Sequence, residues 1–287
     1  MSDATGPSLV TNSQTSVSIS VSIVVYFPDV AWLETTLASL AAALADARHA
    51  GAMRRATICL VDNQSTSTTS SFDPLITRLV AEFGWIDTIA VAGHGNIGYG
   101  RANNLAIERC TGSDFHLVLN PDVRINEDAI TNALLYLQQH DECAIVSPVA
   151  NAPDGQALYL VKRFPSLFTL ALRGFAPSII RQRFRERLDA YERKEVAYDA
   201  YLSDVQIVSG CFMLIRRAAL EKAGGFDPAF FLYFEDFDLS YRIAKFAGIA
   251  RVANVRIVHA GGSAAAKGLR HVWLFVRSAL RFNWKHG

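Results

Sequence analysis

The 287 residues are enough for one large α/β domain or two small ones with an ample buried core. Hydrophobic residues make up 51% and charged residues 19%, an ordinary globular balance, and the formal net charge of +1 offers no global field to draw in nucleic acid. The four cysteines, Cys59, Cys110, Cys143 and Cys211, lack the two-residue spacing of a zinc knuckle or redox pair, so they read as buried reduced thiols.

Residues 1–17 are rich in Ser and Thr, lack the basic-then-apolar order of a signal peptide, and read as a disordered leader. No apolar run reaches the roughly 18 residues that span a bilayer, which predicts a site facing the cytoplasm. Val17 to Tyr26 has the β-branched composition of a strand buried on both faces, and Pro28 follows it. Ala31 to Ala50 is patterned as a helix, and Ala56 to Val61 as a second buried strand stopped by Asp62-Asn63-Gln64-Ser65-Thr66. Ile86 to Val91 and Phe115 to Leu119 are further strands, with a helix over Asn103 to Cys110 between them. The stretch Asn151 to Asp204 breaks this rhythm with basic residues among aromatic and aliphatic ones. Strand character returns over Val205 to Ile215 and again over Ala250 to Val258, which leads into His259. The alternation predicts a largely parallel sheet with helices on both faces. Ligands of such sheets gather beyond the carboxyl ends of the strands, which singles out Asp62, Asn96, Asn120 and Asp122.

At the end of the second strand, Asp62 and Asn63 can hydrogen-bond a base edge or ribose hydroxyls, or they can simply build a turn. Gly93 to Asn104 packs glycines before a helix, a place where backbone can approach a phosphate. Asn96 and Gly98 lie in it and Arg101 adds a charged fork, although a structural loop has the same composition. In Asn120-Pro121-Asp122 the proline turns the chain out of the sheet and aims a hard carboxylate at the cleft, suited to Mg²⁺ or Mn²⁺ shared with a diphosphate. A plain Pro-Asp turn is the alternative. Phe234-Glu235-Asp236-Phe237-Asp238 sets three carboxylates among aromatics, where burial should raise a pKa into the range of a general base. Asp238 can instead cap the helix LSYRIAKFAG and pair with Arg242. His259, at a strand end, is either structural or a metal ligand.

Two segments are amphipathic. From Gly268, helical spacing places Arg270, Arg277, Arg281 and Lys285 along one side and Val272, Phe275, Val276, Ala279 and Leu280 along another. Lys162 to Phe175, with Arg163, Phe164, Leu167, Phe168 and Arg173, is a second such patch. Each either docks on the rest of the chain or lies on an anionic membrane surface.

Taken in order, VSIVVYFP, VDNQS, GNIGYGRANN, LVLNPD, SGCFMLIRR, GGFDPAFFLYFEDFDLSYR and HAGGS resemble the family-2 glycosyltransferases of the GT-A fold, over roughly Ser18 to Ser263. The rhamnosyltransferase-like branch looks most similar. The resemblance implies a catalytic domain over 18–263, with 151–204 as an insertion near the acceptor side and 264–287 as an amphipathic C-terminal segment. It implies inverting transfer from a nucleoside-diphosphate sugar, dTDP-rhamnose or another donor such as a UDP-hexose, to a polysaccharide or lipid-linked glycan. Tyr26, Asp62, Asn63, Asn96, Gly98, Arg101, Asn120 and Asp122 would then serve the donor, and Ser209 and Gly210 the acceptor. Asp236 would be the base with Glu235 beside it, and Asp122 and His259 would hold a divalent cation, Mg²⁺ or Mn²⁺. Asn120 departs from the family's Asp-X-Asp motif and leaves one carboxylate there for the metal. The rival readings are a nucleotidyltransferase, which would more naturally carry a basic glycine-rich loop where Tyr26-Phe27-Pro28 stands, and a non-catalytic sugar-nucleotide-binding protein. Attachment to the inner face of the cytoplasmic membrane is the expectation for a chain with a lipid-linked acceptor.

Overall fold

The computed structural model describes residues 17–261 and 268–287, so the leader before Val17, and Gly262 and Ser263, lie outside the described residues. Strand β1 (Val17–Val25) is buried along almost its whole length, as a strand covered on both faces must be. It pairs in parallel with β2 (Met53–Asp62) on one side and β4 (Phe115–Leu119) on the other, and β2 pairs in parallel with β3 (Ile86–Val91). Beyond β4 come β10 (Phe212–Arg216), β6 (Cys143–Asn151), β11 (Gly248–His259) and β5 (Val123–Ile125), with β7 (Ala157–Leu158) beside β6. The sheet is mostly parallel. Strand β10 is the consequential exception: it runs antiparallel to both β4 and β6, which brings its N-terminal end to the edge where β1, β2 and β4 finish.

Helix α1 (Val30–His49) starts where the Asp29 carboxylate accepts from the Ala31 and Trp32 N–H groups. Its length and composition would suit a membrane span. Yet Leu33, Leu40 and Leu44 are fully buried in the main core cluster, so it is a core helix of this domain. Helices α2 (Asp73–Glu82), α3 (Tyr99–Arg109) and α4 (Ala129–Gln139) complete this part of the chain. The irregular stretch after β6 contains β8 (Val161–Lys162), α5 (Leu167–Phe175), α6 (Ser178–Arg183) and α7 (Arg185–Tyr191). Strand β8 pairs with β9 (Ile207–Val208) in a small separate sheet. The remaining helices are α8 (Arg217–Ala223), α9 (Glu235–Ala244) and α10 (Leu269–His286).

Three boundaries differ from the sequence reading. The strand expected over Val205 to Ile215 is two strands in two sheets, because Ser209-Gly210-Cys211 leaves the ladder and the Gly210 N–H turns to the Asp236 carboxylate at 2.7 Å. Helix α3 begins at Tyr99, earlier than expected, with Gly98 as its cap. Helix α9 begins at Glu235, so Asp238 lies inside its first turn and is not its cap. The four cysteines are buried and unpaired.

Candidate active site

The strand ends meet at two adjoining cavities. The first, of about 580 Å³, is lined by Tyr26, Asn63, Asn96, Gly98, Asn120 and Asp122, and by Arg270 and His271 from the start of α10. The second, of about 550 Å³, is lined by Ser209, Glu235 and Asp236, and shares His259 and Gly261 with the region around Asp122.

In the first cavity the strand-end polar residues mostly hold one another. Asn63 donates to Asn96 Oδ1 at 3.2 Å and accepts from the Ile97 N–H at 3.1 Å, and Asn96 Oδ1 also takes the Gly98 N–H. Gly98 has φ +91°, and a Cβ on it would stand 2.4 Å from the Phe231 carbonyl oxygen, so only glycine lets these two loops close. Tyr26 and Phe27 make an edge-to-face pair at the mouth, where an aromatic base could stack.

Two expected donor contacts are not where the sequence reading put them. Asp62 is fully buried. One oxygen accepts from the Gln64 and Ser65 N–H groups and the other from the Ser70 hydroxyl, so it shapes its own loop and does not line the cavity. Arg101 points outward and donates to the Pro228 carbonyl, because the earlier start of α3 turns it away from the cleft.

Asp122 is held from three sides. The Thr36 hydroxyl of α1 donates to the Pro121 carbonyl and accepts from the Val123 N–H, and the Asp122 carbonyl accepts from Ala260. That last bond brings the end of β11 against it, and His259 Nε2 lies 3.3 Å from Asp122 Oδ1. Burial opposes the charged imidazole, but the Cys211 sulfur and the Asp122 carboxylate outweigh it and hold His259 up at about 10. A Cβ on Gly261 would stand 2.5 Å from His259 Nε2 and 3.2 Å from Asp122 Oδ2, so the missing side chain leaves a cradle between the two groups. No group of three or more His, Cys, Asp or Glu side chains gathers among the described residues. Asp122 therefore fits a hard cation completed by diphosphate oxygens better than one caged by protein alone, and His259 can join it only in its neutral form.

Asn120 is not free to act as a second ligand. Its Oδ1 lies 2.8 Å from the Tyr99 hydroxyl, which also reaches the Gly210 carbonyl at 3.1 Å. Tyr99 thus ties the end of β4 to the loop whose Gly210 N–H holds the Asp236 carboxylate. Nothing in the sequence pattern marked it, because a Tyr between Gly98 and Gly100 reads as part of the glycine-rich loop.

In the second cavity Asp236 accepts from Gly210 N–H at 2.7 Å and from its neighbour Phe237 N–H at 2.9 Å. Burial pushes its carboxyl up to about 6, and those two N–H groups keep it from rising further. Glu235 is buried, its Oε2 has no hydrogen-bond partner among the described residues, and burial with the adjacent Asp236 raises it well above the usual carboxylate range. Of the pair, Glu235 is pushed up by burial and by its acidic neighbour, so it is the better seat for a shared proton and Asp236 the candidate base. The turn that aims them is strained: Tyr233 and Phe234 have φ of 69° and 66°. Each costs about 1–2 kcal/mol for a residue with a Cβ. Phe234 offsets this by packing on Phe237, Phe275 and Phe282. The N-terminus of α9 adds a favourable dipole end for the Asp236 carboxylate.

Asp238, fully buried, pairs with Arg242 at 2.7 Å as the spacing suggested. It also takes Lys285 at 2.6 Å and His286 at 2.8 Å from α10. That clamp explains why α10 docks where Arg270 and His271 can line the first cavity. It also corrects the expected faces of α10. Lys285 is turned inward, and Phe275 and Ala279 join the core cluster with Phe282, while Val276 and Leu280 fall on an outer stripe.

The model of glycosyltransferase-like family 2 matches residues 23–263. The chain belongs to that family. It is 29% identical over 166 residues to the N-acetylglucosaminyl-diphospho-decaprenol L-rhamnosyltransferase of Mycobacterium tuberculosis, a match covering 52% of this chain and 51% of the relative. The chain thus spans about half the length of that relative. It is 26% identical over 196 residues to the rhamnosyltransferase WbbL of Escherichia coli, covering 65% and 67%. Among solved structures, the mannosyltransferase PcManGT of Pyrobaculum calidifontis, in complex with GDP-Man and Mn²⁺, superposes with a TM-score of 0.60 at 17% identity, over 96% of this chain and 66% of that one. GalNAc-T7 with UDP, GalNAc and Mn²⁺ superposes with a TM-score of 0.59 at 13% identity, over 85% and 43%. Those two likenesses fix the GT-A fold.

Proposed function

We propose that this chain transfers a sugar from a nucleoside diphosphate in the first cavity to an acceptor hydroxyl in the second, with inversion at the anomeric carbon. The observation that carries this reading is Asp236: a carboxyl lifted to about 6 at a helix start, in a cavity that meets the Asp122 cradle at His259 and Gly261. Asp236 takes the hydroxyl proton as the oxygen attacks the anomeric carbon from the face opposite the diphosphate. The carbon–oxygen bond to the diphosphate breaks and its electron pair leaves with the phosphate. Asp122 would hold a divalent cation, with His259 as a second ligand once its proton is displaced to solvent, and that cation would supply neutralisation of charge on the leaving group. Arg270 lines the same cavity and brings a further positive charge.

Rhamnose from a dTDP donor is the preferred assignment, since the M. tuberculosis and E. coli relatives are both rhamnosyltransferases. A polyprenyl-diphosphate glycan is the preferred acceptor, following the name of the first, in cell-surface polysaccharide synthesis. Such an acceptor places the enzyme at a bilayer surface on the cytoplasmic side. A stripe of Leu269, Trp273, Val276, Leu280 and Trp284 runs exposed along α10, with Arg277 and Arg281 also exposed beside it, a pattern suited to anionic headgroups.

The test incubates the chain and its Asp236→Asn variant with a panel of nucleotide sugars and a glycosyl-diphosphate lipid, following nucleoside diphosphate release. Turnover should fall by roughly two to four orders of magnitude in the variant, the range for loss of a general base, while donor binding stays the same. Near-normal turnover in Asp236→Asn would remove Asp236 from the chemistry. Binding without any release across the panel would favour a sugar-nucleotide-binding protein.

A further inference from the structure

The second cavity extends away from Asp236 into a cationic end that the transfer reading leaves unused. There Lys162, only 7% exposed, has among the described residues a single hydrogen bond, a long one of 3.4 Å to Glu192. Arg173 from α5 reaches the same carboxylate at 3.2 Å, and Lys194 at 2.8 Å. Glu192 is thus shared by three cations, and Lys194 and Arg185 also pair with Asp189. Of these, Lys162, Arg173 and Lys194 line the cavity, with Glu192 as the carboxylate they share there, so positive charge exceeds negative at that end. Burial, only partly offset by Glu192, lowers Lys162 to about 8, a sign that its ammonium lacks a full set of counter-charges. Tyr191, 4% exposed, lines the same cavity, and its buried hydroxyl has no hydrogen-bond partner among the described residues.

A buried donor without an acceptor forfeits the hydrogen bond it had in water, and an under-neutralised buried ammonium is costlier still. Both costs vanish if an anion sits between them. We infer that Lys162, Arg173, Lys194 and Tyr191 form a subsite for a phosphate or diphosphate ester carried by the acceptor, next to the hydroxyl that Asp236 deprotonates. The assignment of that anion to the acceptor rests on the glycosyl-transfer reading above. The cavity has an exit for whatever the phosphate is attached to. Arg173, Glu192 and Lys194 also line an adjoining cavity walled by Ser178, Arg181 and Gln182 of α6.

The experiment measures calorimetric binding of inorganic pyrophosphate and of hexyl diphosphate to the full chain in excess chelator, which removes the cation-dependent donor site. Wild type should bind both. Lys162→Met should weaken binding about tenfold or more, and Tyr191→Phe, which removes one oxygen and leaves the ring in place, about threefold to tenfold, as loss of a charge-assisted contact predicts. Asp122→Asn should leave binding unchanged. If Lys162→Met does not fold, Tyr191→Phe alone decides the matter, with its melting curve as the control. Equal affinity in wild type and Tyr191→Phe, or loss of binding in Asp122→Asn, would overturn the subsite. Binding of pyrophosphate with exclusion of hexyl diphosphate would show a site for a free anion and overturn its assignment to the acceptor. Because no sugar transfer is read, a chain that binds hexyl diphosphate through Tyr191 yet transfers nothing would leave the anion subsite standing and sink the transfer reading instead.

Discussion

The two cavities are built on opposite principles. The first is walled by aromatic rings and carboxamides, and its carboxamides bond chiefly to neighbouring side chains of the wall: Asn63 to Asn96, Asn120 to Tyr99. The second holds titratable groups pushed off their usual values, Asp236 to about 6, Glu235 upward and Lys162 to about 8. A preformed polar frame suits a ligand that must be held in one pose, and shifted acids and bases suit a place where a proton moves. Asp122 with His259 is the boundary between the two.

That contrast can be broken most severely at the boundary. Asp122→Asn, or excess chelator on wild type, should lower turnover by about a hundredfold or more, because a diphosphate-bound cation contributes several kcal/mol to the departing charge. Mg²⁺ or Mn²⁺ should restore the chelated enzyme and not the variant. Full activity in chelator would mean that Arg270 and other cations serve the diphosphate alone. A subtler change sharpens the difference. In Gly210→Ala the new Cβ would meet Asp236 Cβ at 3.0 Å, so the base must shift by a few tenths of an ångström. Turnover should drop about tenfold with donor affinity intact, since small misplacements of a reacting group are costly. Unchanged turnover would show that the 2.7 Å Gly210 bond does not position Asp236. The smallest effect concerns the outer stripe of α10. Full-length chain should cofloat with anionic vesicles at low salt, and Trp273→Ser with Leu280→Ser should reduce cofloating severalfold without altering turnover on a water-soluble acceptor. Undiminished cofloating would move the contact to Leu167 and Phe168 on α5, or away from the surface altogether.

The sequence was informative where chemistry and packing conflict. Carboxylates among aromatics at Glu235 and Asp236 have few structural excuses, and both are buried or half-buried at a helix start, whereas Asp238 beside them is structural and clamps α10. It was less informative where one residue type serves two ends equally well. An Asp at a strand end can face a ligand or close its own turn, and Asp62 does the latter, with the Ser70 hydroxyl eight residues on as the deciding partner. Arg101 was misplaced because the start of α3 moved, and a shift of a few residues rotates every later side chain around the helix. Helix α10 has apolar residues on two sides, so periodicity alone could not say which side docks; Asp238 decides by drawing in Lys285 and His286. Strand β6 escaped detection because Pro148 interrupts it, and the structure accommodates that proline beside a register shift against β11. Lys162 was read as part of an amphipathic surface, and only the fold closes Tyr191 and Glu192 over it.

The central claim is that Asp236 is the base whose deprotonated form does the work. Its carboxyl is raised to about 6 by burial, so the active form is lost as pH falls through that value. The direct measurement is kcat/KM for the acceptor between pH 4.5 and 8.5 at saturating donor and constant ionic strength. With Asp236 as the base, the profile should show a plateau above pH 7 and an acid limb centred near pH 6, falling about tenfold per unit below it. A profile that stays flat down to pH 4.5 would mean that no group with this value controls the step, and would contradict the assignment of Asp236.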